Sequence, residues 1–313
     1  MDKIKIKGNS ELHGSIDISG SKNASLPILV SSLLSKNNLN LNNLPNLEDI
    51  NSMISLLESF GVKCNKNKKI FTLNAKNIKN NIADYDLVRK MRASILVLGP
   101  LLARFNKAKI SLPGGCAIGT RPIDIHLDSL NKLGVQFEIE NGFVSGFVQD
   151  NLIGANINLS FPSVGATENL VMAASLAKGK TTINNAAKEP EIIDLVVCLN
   201  SMGAKITGAG SKTINIEGVN SFAECDHKIL HDRIVAGTYI IAGVMVNKKF
   251  TVNNINPEYL VSLINVLRRM NANLIIKNSS ITVMPSKQII GTNIETAPYP
   301  GFPTDLQAQI MAL

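Results

Sequence analysis

The stretch Met53-Ile54-Ser55-Leu56-Leu57-Glu58-Ser59-Phe60-Gly61-Val62 decides the fold of this 313-residue chain, because its pattern occurs four times. Apolar side chains recur at helical spacing, and the run ends in glycine followed by a small aliphatic residue. Glycine at that point is the expected left-handed cap of a helix. Further copies lie at residues 126–135, 197–204 and 263–272, the last with Asn271 in place of glycine. The four capping residues are 68 to 73 positions apart.

Each copy belongs to a longer unit that begins with a second, more apolar helix. These helices are predicted at residues 23–34, 92–105, 165–177 and 233–246. One short strand joins the two helices of a unit and two more strands follow them. Self-similarity over about 70 residues is typical of a fold assembled from like modules. Because the first helix of each unit is apolar nearly all round, we expect helices inside and sheets outside.

The number of units predicts how the chain is divided. Three complete units run from about residue 22 to 222, and a fourth continues to about 298. A fifth begins at residues 300–305, and the sequence stops at Leu313 inside its first helix. A module cut there leaves apolar helix surface uncovered. A length of 313 residues is sufficient for two domains, and we expect the chain to end inside an incomplete module.

Composition argues against several classes of protein. Hydrophobic residues make up 45% and charged residues 18%, which is typical of a globular chain. The net charge of +8 is dispersed and there is no Trp, so nucleic-acid binding is disfavoured. Residues 1–7 alternate like a strand and carry no signal peptide, and no apolar run is long enough for a membrane span. These features predict a cytoplasmic protein.

The cysteines and one loop locate the expected chemistry. Four cysteines without CxxC spacing indicate neither zinc nor a disulfide framework, and nothing calls for another cofactor. Residues 112–124 (LPGGCAIGTRPID) place Cys116 among glycines and prolines, with Arg121 five positions on. Glycine permits close approach to a ligand, and a guanidinium favours the thiolate. The loop predicts chemistry on an anionic substrate; a glycine-rich turn with an incidental cysteine is the alternative.

With the repeat and this loop together, the chain resembles the enolpyruvyl transferases over its whole length. The resemblance is carried by five further blocks: GSKNASLP at residues 20–27, VRKMRAS at 88–94, EPEI at 189–192, DRI at 232–234 and FPTDLQA at 302–308. It implies an inside-out α/β barrel of repeated βαβαββ units. It also implies a first domain of residues 22–228 and a discontinuous second domain of 1–21 plus 229–313, the second truncated at its C-terminal end.

The resemblance implies a reaction as well. The 3′-hydroxyl of UDP-N-acetylglucosamine adds to C2 of phosphoenolpyruvate and phosphate then leaves, which is the first committed step of peptidoglycan synthesis. Such a reaction needs a proton donor for C3, a base for the hydroxyl, and cations for the anionic groups. By resemblance Cys116 is either the acid that protonates C3 or the thiol that helps release the product, and it is the residue that fosfomycin alkylates. Lys22 binds the phosphate, and Asp305 is the base. A solvated lysine and an ordinary helix N-cap are the alternatives for Lys22 and Asp305.

Further residues are assigned to the two substrates by the same resemblance. They are Asn23 beside Lys22, Arg92, Arg121, the uridyl segment Pro122, Ile123, Asp124 and Ile125, and the diphosphate turn Ser163, Val164 and Gly165. Phe161 stands where a basic residue is expected before that turn, so we expect weaker diphosphate contacts there. We expect a monomer without nucleic-acid or membrane partners. A non-catalytic chain that binds the sugar nucleotide, and a transferase for shikimate 3-phosphate, are the alternative functions.

Overall fold

The computed structural model of the chain describes residues 3–8, 12–83, 85–89, 91–112 and 123–313. They form two compact units, one of Gly20–Leu230 and one of Met1–Ser19 with His231–Leu313. The α-helices are α1 (Lys22–Ser31), α2 (Glu48–Phe60), α3 (Tyr85–Val88), α4 (Leu98–Phe105), α5 (Asp124–Lys132), α6 (Val164–Ala174), α7 (Pro190–Ser201), α8 (Arg233–Val246), α9 (Val261–Arg269) and α10 (Gln307–Ala312). Short 3-10 helices lie at Ser32–Leu34, Arg92–Val97, Pro257–Leu260 and Thr304–Leu306.

The strands alternate with these helices along the chain. They are β1 (Gly14–Asp17), β2 (Asn38–Asn42), β3 (Lys63–Asn67), β4 (Ile70–Asn74), β5 (Ile82–Ala83), β6 (Lys107–Ser111), β7 (Gln136–Glu140), β8 (Phe143–Phe147), β9 (Asn156–Asn158), β10 (Lys180–Asn184), β11 (Lys205–Thr207), β12 (Thr213–Glu217), β13 (Cys225–Lys228), β14 (Phe250–Asn253), β15 (Asn273–Lys277) and β16 (Ser280–Met284). Apart from its edge strand, each of the four sequence repeats therefore has the predicted order of helix, strand, helix, strand, strand.

The described strands form four separate four-stranded sheets of one design. In each sheet an edge strand runs parallel to its neighbour, and the remaining pairs are antiparallel. The orders are β13-β2-β4-β3, β5-β6-β8-β7 and β9-β10-β12-β11 in the unit Gly20–Leu230, and β1-β14-β16-β15 in the other unit. The mixed α/β fold of repeated units is confirmed, and none of the described sheets closes into a barrel.

Two of the edge strands come from distant parts of the chain. Strand β13 pairs with β2, and strand β1 pairs with β14. In the other two sheets the edge strand comes before the first helix of the same repeat, with α3 lying between β5 and the helix of Arg92. Backbone hydrogen bonds anchor both exchanged segments: the Ser21 N–H donates to Leu230 O at 2.8 Å, and the Asp232 N–H donates to Ser19 O at 3.0 Å. Each compact unit is therefore held together by a backbone hydrogen bond next to the points where the chain enters and leaves it.

The left-handed caps predicted from the repeat are present in all four copies. Gly61, Gly134, Gly203 and Asn271 have φ values of 104°, 97°, 107° and 66°. Asparagine is the side chain that tolerates this conformation best after glycine, which accounts for its place in the fourth copy. The sequence therefore located the end of the second helix in every unit.

The predicted interior position of the first helices is confirmed in the unit Gly20–Leu230. Residues 24–31 of α1 and residues 166–174 of α6 are all buried, as their apolar circumference requires. The outer sheet faces instead carry polar ladders. In one of them Asn40 Nδ2 donates to Asp226 Oδ1 at 2.9 Å, and Thr72 Oγ1 donates to Asn40 Oδ1 at 2.8 Å. Asparagine side chains thus form part of a hydrogen-bonded row on this solvated sheet face.

The strand predicted at residues 1–7 is wrong for the part of it that the structure describes. Residues 3–8 have no strand, and Ile4 and Ile6 are 91% and 86% exposed. The strand lies at Gly14–Asp17, where β14 offers an unpaired edge. Alternation alone could not reveal which segment has a partner. No helix in the described ranges is long and apolar enough to cross a membrane.

Candidate functional site

Lys22 and Asn23 lie in the first turn of α1. Ser21 caps the helix, and its side-chain oxygen accepts from the Ala24 N–H at 3.3 Å. The Lys22 Nζ lies 3.1 Å from Asp49 Oδ2, and both side chains are about 40% exposed. An ion pair this exposed contributes little stability, so an incoming anion can compete with Asp49 for the ammonium group. A cation beside a helix N-terminus is suited to bind phosphate.

Arg92 begins a 3-10 helix, although the sequence predicted one continuous α-helix from 92 to 105. Pro100 explains the difference, since it has no N–H for an α-helical bond and its ring clashes with the carbonyl four residues earlier. The Asn169 side chain of α6 fills the break. Its Oδ1 accepts from the Gly99 N–H at 2.7 Å, and its Nδ2 donates to Ile95 O at 3.0 Å. The backbone groups released by the break are therefore satisfied by a side chain.

The described part of the predicted uridyl segment leads into α5. Ile123 precedes the helix, Asp124 begins it and is exposed, and Ile125 is half-buried. His126 follows, with its Nδ1 3.1 Å from Asn169 Nδ2. Burial, and to a lesser degree the nearby Arg92 charge, lowers the pKa of His126 to about 4. The imidazole is therefore neutral at pH 7 and accepts a hydrogen bond through Nδ1.

The Ser163 turn begins α6 and lies against the same histidine. Ser163 Oγ accepts from the Ala166 N–H at 3.3 Å, so Ser163 is the N-cap. A Cβ placed on Gly165 would lie 3.2 Å from Cε1 and 3.3 Å from Nε2 of His126. Glycine permits this close approach of ring and backbone, since a larger residue would push the ring back by a few tenths of an ångström. The free N–H groups of such a helix start form an anion-binding position.

Three predicted binding segments therefore lie together in the unit Gly20–Leu230: the helix of Arg92, the start of α5 and the start of α6. His126 and Asn169 connect them, and sequence reasoning missed both. His126 could have been noticed because it directly follows the predicted uridyl segment. Asn169 could have been noticed as an amide in an apolar helix, where a buried polar group needs partners.

Sequence reasoning also missed a buried carboxyl group in α6. Glu168 is 4% exposed, and its Oε1 has no hydrogen-bond partner among the described residues. Burial raises the pKa of Glu168 well above its usual range, and the carboxyls of Glu191 and Glu189 raise it further. Burial and the two neighbouring carboxyls therefore favour the protonated form of Glu168. The block at residues 189–192 supplies two of the three carboxyls in this cluster.

Asp305 belongs to the other unit and is described with it. It lies inside the 3-10 helix Thr304–Leu306 and is exposed. Pro303 occupies the N-cap position, and no side chain makes a capping hydrogen bond there. Asp305 is therefore not the ordinary N-cap that the sequence offered as an alternative. Leu306, fully buried, fixes the helix in the core of its unit.

Cys116, Arg121 and Pro122 lie outside the described residues, so their assigned roles stay predictions. Cys64, Cys198 and Cys225 are described and differ from the expected nucleophile. Burial, with a smaller contribution from Glu58, raises the pKa of Cys64 to about 12. A hydrogen bond with Cys198 lowers the pKa of Cys225 to about 7, but both of these thiols are buried, unlike an exposed loop thiol. Within the described ranges no group of three or more His, Cys, Asp or Glu side chains is placed to hold a metal ion.

Sequence comparison relates the chain to proteins of known name. Residues 6–313 match the family described as EPSP synthase (3-phosphoshikimate 1-carboxyvinyltransferase). The UDP-N-acetylglucosamine 1-carboxyvinyltransferase of Pelagibacter ubique is 51% identical over all 313 residues, and that of Geotalea uraniireducens is 47% identical. The alignments cover 100% of this chain and 75% of each relative.

Structural comparison gives the same type of fold. The enolpyruvyl transferase NikO from Streptomyces tendae matches with a TM-score of 0.85 at 21% identity, covering 97% of this chain and 72% of that one. EPSP synthase from Acinetobacter baumannii matches with a TM-score of 0.71 at 16% identity, covering 92% of this chain and 68% of that one. At these identities the likeness concerns the fold alone.

Proposed function

We propose that this chain, which belongs to the EPSP synthase family of carboxyvinyl, or enolpyruvyl, transferases, acts on UDP-N-acetylglucosamine. It transfers the enolpyruvyl group of phosphoenolpyruvate to the 3′-hydroxyl of the sugar nucleotide and releases phosphate. The observation that carries this proposal is identity of 45–51% to relatives with the matching name, over the whole of this chain. The three segments assembled around His126 and Asn169 support it.

The shikimate 3-phosphate alternative is weaker. The family description and the Acinetobacter structure carry that activity in their names, but the structure is only 16% identical to this chain. The relatives at 45–51% identity all carry the sugar-nucleotide name. The stretch from Cys116 to Asp124 is also not expected in the shikimate enzyme.

The described residues suit the binding of a sugar nucleotide. Arg92 supplies a guanidinium, which pairs well with phosphate oxygens, and the Ser163 turn supplies backbone N–H groups. The neutral imidazole of His126 lies against Gly165 and adds no second positive charge to the cluster. Ile123 and Ile125 provide apolar surface for the uracil ring. Lys22 and Asn23, at the start of α1, are proposed to receive the phosphate of phosphoenolpyruvate.

The chemical steps need groups that the sequence alone assigns. As the O3′–C2 bond forms, the hydroxyl proton passes to Asp305 and C3 of phosphoenolpyruvate takes a proton from Cys116. C3 then returns a proton to the Cys116 thiolate as the C2–O bond to phosphate breaks, which restores the double bond, and the proton held by Asp305 leaves with the phosphate. The roles of Asp305, Cys116 and Arg121 rest on the sequence resemblance.

The setting of the reaction is part of the proposal. The product feeds peptidoglycan synthesis, so we place the protein in the cytoplasm, where both substrates occur, and expect it to act as a monomer. We further propose that the two compact units are the two domains of the family.

The test is release of inorganic phosphate from phosphoenolpyruvate by the 313-residue chain, with and without UDP-N-acetylglucosamine. Release that requires the sugar nucleotide is the expected result. Shikimate 3-phosphate replaces it in a control reaction and should give no release. Sugar-nucleotide binding without phosphate release would instead support the non-catalytic alternative, and absence of both would refute the proposal.

A further inference from the structure

We propose that Asn169 is a positioning residue that holds the three sugar-nucleotide-binding segments in one arrangement. The inference rests on the proposed function and adds to it a residue with no substrate contact of its own. Asn169 is fully buried in α6, six residues after the Ser163 cap. It contacts the two other segments through its side-chain amide.

The three hydrogen bonds of Asn169 are consistent with one orientation of its amide. Oδ1 accepts from the Gly99 N–H at 2.7 Å, and Nδ2 donates to Ile95 O at 3.0 Å and to His126 Nδ1 at 3.1 Å. Turning the amide over would set Nδ2 against an N–H donor and Oδ1 against a carbonyl oxygen. The neutral state of His126 fits the same pattern, since its Nδ1 must be free to accept.

Each bond reaches a different part of the proposed site. The bonds to Ile95 and Gly99 bridge the break between the 3-10 helix of Arg92 and α4. They therefore fix the position of the helix that begins at Arg92. The bond to His126 fixes the first turn of α5, next to Ile125. The helix that carries Asn169 begins with the Ser163 turn, and the His126 ring lies beside Gly165 of that turn, where an added Cβ would come within 3.2 Å of the ring. One amide group therefore joins all three segments.

Close packing leaves this amide no room to move. A Cβ on Gly99 would lie 2.4 Å from Asn169 Oδ1 and 3.3 Å from the Ala173 Cβ, so α4 lies directly on α6 at this point. A side chain that is fully satisfied and tightly enclosed keeps one conformation. This is the condition for positioning neighbouring ligand-binding groups before the ligand arrives.

Affinity for UDP-N-acetylglucosamine, measured by titration calorimetry, tests the proposal independently of turnover. Asn169→Ala removes all three bonds and should weaken binding at least tenfold. Met172→Ala is the matched control, because Met172 is as buried in α6 as Asn169 and the partners of the Asn169 amide are other residues. It should change the affinity less than twofold while lowering the melting temperature. Circular dichroism verifies that each variant is folded at the temperature of the titration.

Asn169→Asp is the second variant and gives a readout that a purely structural role would not change. Aspartate keeps an acceptor for the Gly99 N–H and places a carboxylate beside His126, which favours the protonated imidazole. Protonation restores an N–H···O bond between the two side chains. Binding by this variant should therefore tighten several-fold as the pH falls from 8 to 6, and replacing His126 by Phe in the same variant should abolish the trend.

The outcomes separate the inference from the proposed function. Wild-type chain that does not bind UDP-N-acetylglucosamine would refute both. If the wild type binds, an Asn169→Ala affinity within twofold of wild type, or an equal loss in Met172→Ala, refutes the inference alone. Should Asn169→Ala fail to fold, wild-type affinity of Asn169→Asp at pH 8 is the refuting result.

Discussion

Gly99→Ala should destabilise the unit Gly20–Leu230, although alanine is normally the better helix former. The new Cβ would lie 2.4 Å from Asn169 Oδ1 and 2.6 Å from the Asn169 backbone oxygen. An ordinary C···O contact is about 3.3 Å or longer, so α4 and α6 must separate by roughly 0.7–0.9 Å. The partner atoms belong to buried backbone and to an enclosed amide, neither of which can turn aside.

The size of the effect follows from three contributions. Overpacking in a core costs about 1–3 kcal/mol. Separation of the helices stretches the Gly99–Asn169 bond, and a buried N–H left unsatisfied costs about 1–3 kcal/mol. Replacing glycine in a helix offsets about 1 kcal/mol of this. The net loss is about 3 kcal/mol, which for a domain of this size lowers the melting temperature by about 6–12 °C.

Differential scanning calorimetry measures the loss, and hydrogen exchange locates it. Amides of α4 and α6 should exchange faster in Gly99→Ala, while those of α9 should not change. Gly291→Ala is the control, because a Cβ there meets no atom within 4 Å. The free energy of unfolding of this control should stay within about 0.5 kcal/mol of wild type. A Gly99→Ala chain as stable as this control would refute the described packing of α4 on α6.

Two further predictions concern titration and thiol reactivity. The pKa of His126 is lowered to about 4 in the folded chain, against 6.5 for an ordinary histidine. The contribution of the neutral His126 to the free energy of unfolding is therefore fully present above pH 6.5 and is lost as the pH drops from 6.5 to 4. The loss reaches about 3 kcal/mol, and His126→Gln should flatten the profile of urea midpoint against pH over that range; an unchanged profile contradicts the assignment. Fosfomycin with UDP-N-acetylglucosamine should add one adduct, on Cys116, while Cys64 stays unmodified because burial raises its pKa to about 12. Peptide mass spectrometry checks this, and the absence of an adduct on Cys116, or an adduct on Cys64, would contradict it.

The repeat made most of the fold predictable from sequence. A helix cap with positive φ admits few residues, so Gly61 and its counterparts mark the same point in each unit. An apolar circumference similarly marks α1 and α6 as interior helices. Both signals are local: each depends on the conformation or burial of one segment, and neither requires knowledge of what that segment touches.

The features that the sequence did not reveal depend on contacts between residues of different sequence repeats. The break before α4 follows partly from Pro100, but its hydrogen bonds come from Asn169, 70 residues away from Gly99. The pairing of β1 with β14 and of β13 with β2 likewise depends on distant segments of the chain. The alternating pattern of residues 1–7 did not predict it. Within the candidate site, local patterns pointed to Arg92 and Ser163, whereas the two side chains that join these segments could be identified only by their partners.

The repeat also explains why the candidate site uses helix starts. Ser21 and Ser163 cap α1 and α6 in the same way, each accepting from the N–H three residues later. Asp232 occupies the corresponding position before α8, and its carboxylate accepts from two N–H groups at 2.9 and 3.0 Å. A neutral hydroxyl leaves the positive end of the helix dipole available to an anion, whereas a carboxylate compensates it. The unit of Arg92 differs again, because its 3-10 start presents a guanidinium. Equivalent positions in the repeat thus carry different charges, and the two serine-capped starts are the ones suited to phosphate groups.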